Sequence, residues 1–578
     1  MKMPHALPLL AAVPLAAVLL AAAARTQVQN TLLILADDVG AEAIACYGLT
    51  PAPPPTPNLD ALAARGVRFR NALSNPLCSP TRATVLAGRH SFRTGVGTAL
   101  GPGQQGLRLD EWLLPEVLAP AGIDTAWLGK WHAGDAQGPG TPNVMGFGHF
   151  VGHLQAALPD FFVWPKTRNG QTSTATTYAT TDTVNEALAW IGARQRPWLA
   201  VVSFHAAHTP LHAPPAHLHT QNLAGLDPRT QPIPFFKAMV QAMDREIGRL
   251  LAGIPAAVLA GTNVVFLGDN GTAGNTIQPP FPTNHAKGTL YQGGITVPLL
   301  VAGPRVAQPG RAVDAVVHTC DLFPTVGAFA GVDVRAVVPA SVPLDGVSLL
   351  PYLANPAQPP LRDTVYAELF GYLAQANGHA IRNATHKRIR FTGTNPRDEF
   401  YDLGADPHEQ RNLLLGTLSA AERRHFVALG AAAAALRGER YFGVLAQGCA
   451  GTRGRATVSA PSGGPGLGQS FSLVFGDLPL GTTSVIGFLG LSHVSFQGLP
   501  LPLDLGALAM PQCTLDASMD LVLPVPATAG AARLDVPIPA GSGLLGLWLF
   551  PQAVVPDPGA NGAGLITSAA GHAVIGRP

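Results

Sequence analysis

Charge is in short supply in this chain: 12% of its 578 residues are Asp, Glu, Lys or Arg, and the formal net charge is +2. No Lys/Arg cluster able to neutralise a phosphate backbone occurs, which argues against a nucleic-acid partner. Lysine is the scarcest cation, with only Lys2, Lys130, Lys166, Lys237, Lys287 and Lys387 present, so Arg is the default positive residue. A Lys kept against that background is informative, because it is a compact point charge that can release its proton where Arg cannot. Cysteine is limited to Cys46, Cys78, Cys320, Cys449 and Cys513. In an exported protein that odd number leaves at least one thiol outside any pairing. Beyond residue 24 there is no apolar run near the ~20 residues that span a bilayer.

The one long apolar stretch, Ala6 to Ala24, follows Lys2 and ends in small residues before Arg25. This is the pattern of a secretory signal over residues 1–24, with cleavage after Ala22 to Ala24 and a secreted or periplasmic destination. A retained anchor is the alternative reading, and Pro8, Pro14 and the Ala-rich end speak against it. The mature chain exceeds the ~250–300 residues at which single cores stop growing, so two or three domains are expected.

Short apolar runs at Thr31–Leu35, Thr125–Leu128, Leu199–Phe204, Asn263–Leu267 and Val297–Ala302 alternate with helix-like stretches such as Asp182–Arg194 and Phe235–Leu251. That alternation predicts an α/β domain over 25–342, a sheet sandwiched by helices. In such sheets ligands bind where the strands end, so Asp37, His205, His208 and Asp269 are candidates to converge. Residues 343–440 read as a small α+β subdomain, with strands at Thr364–Leu369 and Lys387–Phe391 and an Ala-rich helix at Ala420–Arg437. From 441 to 578 helical periodicity gives way to short β-like runs, Ser470–Phe475 and Ser484–Leu489 among them, separated by Gly/Pro turns, which predicts an appended all-β sandwich. Cys449 and Cys513 both fall there, and a disulfide between them is expected in an oxidising compartment, two unpaired thiols being the alternative.

Two strand ends carry oxygen ligands: Asp37 and Asp38 after Leu35-Ala36, and Asp269 and Asn270 after Leu267-Gly268. Either pair alone could be a turn or cap, but meeting at one sheet edge they would suit a hard cation, Ca²⁺ or Mg²⁺, rather than zinc. Cys78 precedes a helix start, with Ser79 able to cap and Pro80 tolerated in the first turn. A thiol at a positive helix end beside Arg82 is a nucleophile candidate, although a lone buried Cys is often only packing.

The run Cys78-Ser79-Pro80-Thr81-Arg82, ending in Leu86-Ala87-Gly88-Arg89, resembles the signature of the type I sulfatase family within the alkaline phosphatase superfamily. Further motifs follow in the family's order: Gly129-Lys130-Trp131-His132, His208-Thr209-Pro210, Gly268-Asp269-Asn270-Gly271 and Lys287 to Ile295, with Met243 to Gly248, Asp321 to Thr325 and Tyr401 to Leu413 as further landmarks. The resemblance runs from about Val28 to Arg440. It implies an alkaline-phosphatase-like, mixed but mostly parallel sheet and a sulfuric ester hydrolase that turns sulfated small molecules or glycans into alcohol and inorganic sulfate. It also implies oxidation of Cys78 to formylglycine by a maturation enzyme, and a metal, usually calcium, held by Asp37, Asp38, Asp269 and Asn270 with residue 78 touching it. Arg82 would hold the formylglycine hydrate, Lys130 and Lys287 would bind sulfate, and His132 and His208 would handle protons. His205 is the runner-up to His208, His212, His217 and His219 read as solvated loop residues, and His285 could face the pocket. Two rival readings are a phosphonate or phosphodiester hydrolase of the same superfamily and a non-catalytic glycan-binding relative.

Overall fold

The computed structural model describes residues 28–578, so the signal segment expected at 1–24 lies outside the described residues. A ten-stranded sheet consists of β1 (Asn30–Ala36), β2 (Gly66–Leu73), β3 (Asp124–Lys130), β4 (His149–His153), β5 (Trp164–Arg168), β6 (Gln171–Ala175), β7 (Trp198–Ser203), β8 (Thr262–Gly268), β9 (Leu299–Ala302) and β10 (Arg311–His318), of which the five apolar runs supply β1, β3, β7, β8 and β9. Their spatial order is β10-β2-β9-β8-β1-β7-β3-β4-β5-β6. The centre, β8-β1-β7-β3-β4, is parallel, while β9 and the β5–β6 hairpin run antiparallel to their neighbours.

Parallel strands covered on both faces must be apolar on both faces, and β7 and β8 are buried along their whole length. Alternate residues of β1 serve different cores. Leu32 and Ile34 pack on one side with α3 (Ala179–Gly192) and α4 (Pro232–Gly253), while Leu33 and Leu35 pack on the other with α2 (Cys78–Ala87) and α5 (Leu322–Phe329); a shorter helix, α1 (Pro57–Ala64), joins the first group. Truncating one of these fully buried leucines to Ala is expected to cost about 2–5 kcal/mol. The functional consequence is geometric. Parallel β1, β3, β7 and β8 end on the same edge, which places Asp37, Lys130, His205 and Asp269 side by side.

The second sheet is a four-stranded antiparallel meander of β11 (Val365–Leu369), β12 (Gly378–Arg382), β13 (His386–Phe391) and β14 (Arg397–Asp402). The sequence pointed to two of these; β12 and β14 carry His379, Arg382, Arg397, Asp398 and Glu399, which break the apolar pattern. Helix α6 (Ala420–Arg437) begins at a Ser419/Glu422 capping box and stops at Gly438, whose φ of 69° suits glycine.

From Tyr441 onward the chain is antiparallel β structure, a nine-stranded sheet between Tyr441–Ala446 and Ala570–Val574. Buried residues from both ends of its path, such as Phe471 and Phe475 on one strand and Phe550 and Val555 on another, join in one core, so the sheet is folded over on itself in two layers. The expected Cys449–Cys513 disulfide is present in that core. Of the two further cysteines outside the site, Cys320 is buried and Cys46 is half-buried, on a short 3₁₀ turn at Ala45–Tyr47. No helix among the described residues is long and apolar enough to cross a membrane.

Candidate active site

Each candidate side chain is delivered by the end of a strand or the start of a helix. Asp37 and Asp38 follow β1, Lys130 closes β3 with His132 two residues on, His205 and His208 follow β7, and Asp269 and Asn270 follow β8. Asp38 and His132 hold left-handed backbones, with φ of 58° and 47°. Such conformations are uncommon for residues with a Cβ and cluster at sites the surrounding structure over-determines. Cys78 is itself the first residue of α2, with Leu77 before it in an extended conformation. Ser79, expected to cap, instead accepts a hydrogen bond from the Leu100 N–H at 3.1 Å, because the helix starts at Cys78 with Leu77 in the cap position, ahead of where the sequence suggested.

Four of the residues form two tight pairs. Lys130 Nζ lies 2.6 Å from Asp37 Oδ2, with both side chains fully buried, and Lys287 Nζ lies 2.5 Å from Asp38 Oδ1. Arg82 donates from Nε and Nη2 to Asp269 Oδ2 at 3.1 and 2.8 Å, and from Nη1 to Lys130 O and Ser203 Oγ at 2.9 and 2.6 Å. Asn270 Nδ2 donates to Asp38 Oδ1 at 2.8 Å, and the Asp38 N–H donates to Asp269 Oδ1 at 3.2 Å. Four of the five N–H donors of Arg82 are thus taken by protein, and its Nε–Nη2 edge orients Asp269.

Two histidines address the site, His132 at Cys78 and His208 at Asp38. His132 Nε2 faces Leu100 O at 2.9 Å and so carries the hydrogen, leaving the lone pair of Nδ1 toward Cys78 Sγ at 3.0 Å. His208 Nδ1 faces Thr209 O at 2.8 Å, which leaves its Nε2 free, 3.9 Å from Asp38 Oδ2. Burial, aided by Lys130, pulls His132 down to about 3; burial, against Asp38 and with Lys130 and Lys287 adding to it, pulls His208 down to about 4. Both imidazoles are therefore neutral near pH 7.

The carboxylates divide in the same way. Burial and the neighbouring Asp37 push Asp269 up to about 6, and burial likewise raises Asp37. Against the same burial, Lys287, His208 and Lys130 hold Asp38 well below the ordinary carboxylate range. Asp37 Oδ1 and Asn270 Oδ1 are buried without a hydrogen-bond partner, although such atoms normally have one. Ligand atoms of Asp37, Cys78 and Asp269 lie within 4.8 Å of one another. Oxygen donors with spare lone pairs, crowded enough to raise each other's pKa, fit a hard divalent cation.

All the expected site residues meet here: Asp37, Asp38, Cys78, Arg82, Lys130, His132, His208, Asp269, Asn270 and Lys287. Among the other histidines, His205, the runner-up to His208, is 3% exposed, both its nitrogens are without partners, and its ring lies 5.9 Å from that of His153 and 6.4 Å from that of Trp164. His212 is half-buried, its ring 4.2 Å from that of Phe161. His285 stacks on Tyr291 at 3.7 Å and is a packing residue. The sequence reading missed Ser203 and the Leu100 carbonyl; the first is one Ser among many, and the second is backbone. A second buried group, His90, His318 and Cys320, has ligand atoms within 4.8 Å, but His318 Nδ1 accepts from the Cys320 N–H at 3.2 Å. Its hydrogen therefore sits on Nε2, the wrong form for a metal ligand there.

Comparison with known proteins agrees with this geometry. A family model described as Sulfatase matches residues 29–332, and one described as N-sulphoglucosamine sulphohydrolase, C-terminal, matches residues 284–423. Human arylsulfatase A is 28% identical over 446 residues, covering 68% of this chain and 84% of that protein. Human N-acetylgalactosamine-6-sulfatase is 30% identical over 368 residues, covering 57% and 66% respectively. The crystal structure of Ps i-CgsB aligns with a TM-score of 0.58 at 26% identity, over 67% of this chain and 89% of that one. The PsFucS1 sulfatase from Pseudoalteromonas sp. shares the fold, with a TM-score of 0.55 at 22% identity over 67% and 86%.

Proposed function

We propose that this chain, which belongs to the sulfatase family and is a sulfuric ester hydrolase, is an exported enzyme that uses a formylglycine derived from Cys78 and one bound Ca²⁺ to hydrolyse aryl or carbohydrate sulfates. The observation that carries this reading is the convergence of Cys78, His132, Lys130, Lys287 and His208 around the carboxylates of Asp37, Asp38 and Asp269. Asp37, Asp38, Asp269 and Asn270 would hold the cation, with residue 78 beside it and magnesium as the alternative ion. A divalent ion there supplies charge neutralisation for the sulfate oxygens. A formyl group at position 78 supplies, once hydrated, a hydroxyl nucleophile, and the Cys78 Sγ marks where its oxygen would lie.

The chain's own groups then have separable tasks. Lys130 and Lys287 lie on the carboxylates of Asp37 and Asp38 and offer their remaining N–H donors to sulfate oxygens, where charge builds in the transition state. His132 Nδ1, fixed by the carbonyl behind its other nitrogen, is set to take a proton from side chain 78. His208 Nε2, beside Asp38, carries a lone pair in the neutral imidazole and would take up a proton as the sulfate ester binds, then pass it to the departing alcohol. Arg82 keeps Asp269 in place. The division into a signal at 1–24, a catalytic domain at 25–342, a C-terminal subdomain at 343–440 and a β module at 441–578 belongs to the same proposal, as do secretion and maturation by a formylglycine-generating enzyme.

The test is turnover of an aryl sulfate against the matching aryl phosphate by protein from its native host, before and after chelation with EGTA. Sulfate turnover that chelation abolishes and Ca²⁺ restores is the expected result. Preferential phosphate turnover would favour a phosphoesterase, and binding of sulfate esters without hydrolysis would favour a non-catalytic relative.

A further inference from the structure

The second sheet reaches the active site through one buried pair of charges. Lys387 on β13 and Glu409 on the loop after β14 are 0% and 2% exposed, and Lys387 Nζ lies 2.7 Å from Glu409 Oε1. Both also grip Gln292: Glu409 Oε2 accepts from its backbone N–H, and Lys387 Nζ donates to its side-chain Oε1 at 3.3 Å. One residue earlier, Tyr291 donates from its hydroxyl to Glu399 Oε2 at 2.7 Å, and Tyr401 donates to the same oxygen at 2.7 Å. Glu399 is 8% exposed, so the Tyr291–Gln292 peptide is held by two largely buried carboxylates that the sequence motifs did not single out.

That peptide is tied to the site in both directions. Upstream, the Lys287 N–H donates to Thr272 O at 3.0 Å and the Gly288 N–H donates to Pro76 O at 2.9 Å, two residues before Cys78. Downstream, Gln292 opens a short turn, Gln292–Ile295, against which Gly271 is pressed. The Gly271 N–H donates to Gly294 O at 3.0 Å, and a Cβ on Gly271 would come within 1.9 Å of Gly293 O. A shift of Gln292 therefore moves Lys287 on one side and the Asp269–Gly271 turn on the other. Burying an ammonium and a carboxylate together is costly, and the pair is tolerated only where geometry and further hydrogen bonds satisfy both.

We infer that Glu409, with Lys387 as its counter-ion and Glu399 as a flanking anchor, is a positioning residue that sets both the cation affinity of the Asp269–Asn270 turn and the sulfate affinity at Lys287. The described side-chain hydrogen bonds and ion pairs of Lys387 and Glu409 run only to each other and to Gln292, so neither is a catalytic residue. The inference rests on the calcium reading above for its metal arm and is independent of it for its sulfate arm.

Breaking such a pair by one substitution leaves a buried charge unpaired, whereas replacing both partners is tolerated. The experiment therefore uses two double variants of the full chain, Lys387→Met/Glu409→Leu and Lys387→Met/Glu409→Gln, the second of which keeps an oxygen for the Gln292 N–H. Protein stripped with EGTA is titrated calorimetrically with Ca²⁺, and the reloaded protein with inorganic sulfate. The Leu variant is expected to bind Ca²⁺ about tenfold more weakly or worse, as removal of an outer-shell partner typically does, and the Gln variant to recover most of that loss. Sulfate affinity should follow the same order, with KM for an aryl sulfate rising more than kcat falls. Affinities in the Leu variant within twofold of wild type would overturn the inference. If wild type binds no Ca²⁺ the calcium reading falls, and the sulfate arm decides the positioning role by the same comparison. Should the Leu variant fail to fold, Tyr291→Phe cuts the Glu399 anchor, and wild-type affinities in that variant would be equally fatal.

Discussion

Single residues in this site are defined by what holds them as much as by what they offer. His132 can act on side chain 78 because a backbone carbonyl fixes its other nitrogen, and Arg82 holds Asp269 in place. Cys78→Ser retains one hydroxyl at position 78 but lacks the second that a hydrated aldehyde provides. Rapid-quench assay of that variant is expected to give at most one equivalent of alcohol per site and no steady-state turnover; sustained turnover would contradict the formylglycine chemistry. A second residue, Glu42, is 4% exposed, and burial raises its pKa to about 7. A carboxyl raised on folding binds its extra proton between about pH 4.5 and 7, so its contribution to stability falls as pH rises through that window and stays reduced above it. Glu42→Gln is expected to stabilise the fold by about 1–3 kcal/mol at pH 8 and by little at pH 5. Melting curves at the two pH values check this, and a pH-independent difference would contradict it.

Among the elements, what the sequence made legible follows from pattern strength. Strands β8, β1, β7 and β3 of the parallel centre were readable because each holds an apolar run followed by Asp, His or Lys, whereas β4, His-Phe-Val-Gly-His, was not; α6 was readable because Ser419, Glu422 and Gly438 mark both its ends. The β5–β6 hairpin and strands β12 and β14 were not, since Gln171, Thr172 and Ser173 or Arg397, Asp398 and Glu399 carry no apolar alternation, although each pairs with a strand next to it in sequence. The site itself was readable as motifs because their residue types are dictated by chemistry. Its supports were not, being backbone carbonyls or ordinary side chains, although Lys387 was flagged in principle by the rarity of lysine. The capping box of α6 gives an element-scale test. Ser419→Ala removes an acceptor for the Glu422 N–H and is expected to lower stability by about 1 kcal/mol, read by denaturant titration, with Ser419→Asp near wild type.

At the scale of the molecule, α6 is shared property. Leu429 and Ala433 pack with Tyr366, Ile381 and Phe400 of the four-stranded sheet, while Ala431 and Ala434 pack with Val574 of the last strand. Arg424 on α6 is ion-paired to the buried Asp516 of the β module. A chain truncated after Arg440 would expose that apolar face and leave Arg424 without its partner. Such a truncation is expected to melt at a markedly lower temperature and to lose activity on small aryl sulfates together with its fold; full activity and an unchanged melting temperature would show that the module is a separable appendage. The account as a whole rests on what residue 78 becomes. The most direct measurement is a mass spectrum of the tryptic peptide 71–82 from protein purified from its native host and shown to hydrolyse a sulfate ester. The account requires an aldehyde in place of the Cys78 thiol in that peptide, and an intact thiol in protein that turns over would contradict it.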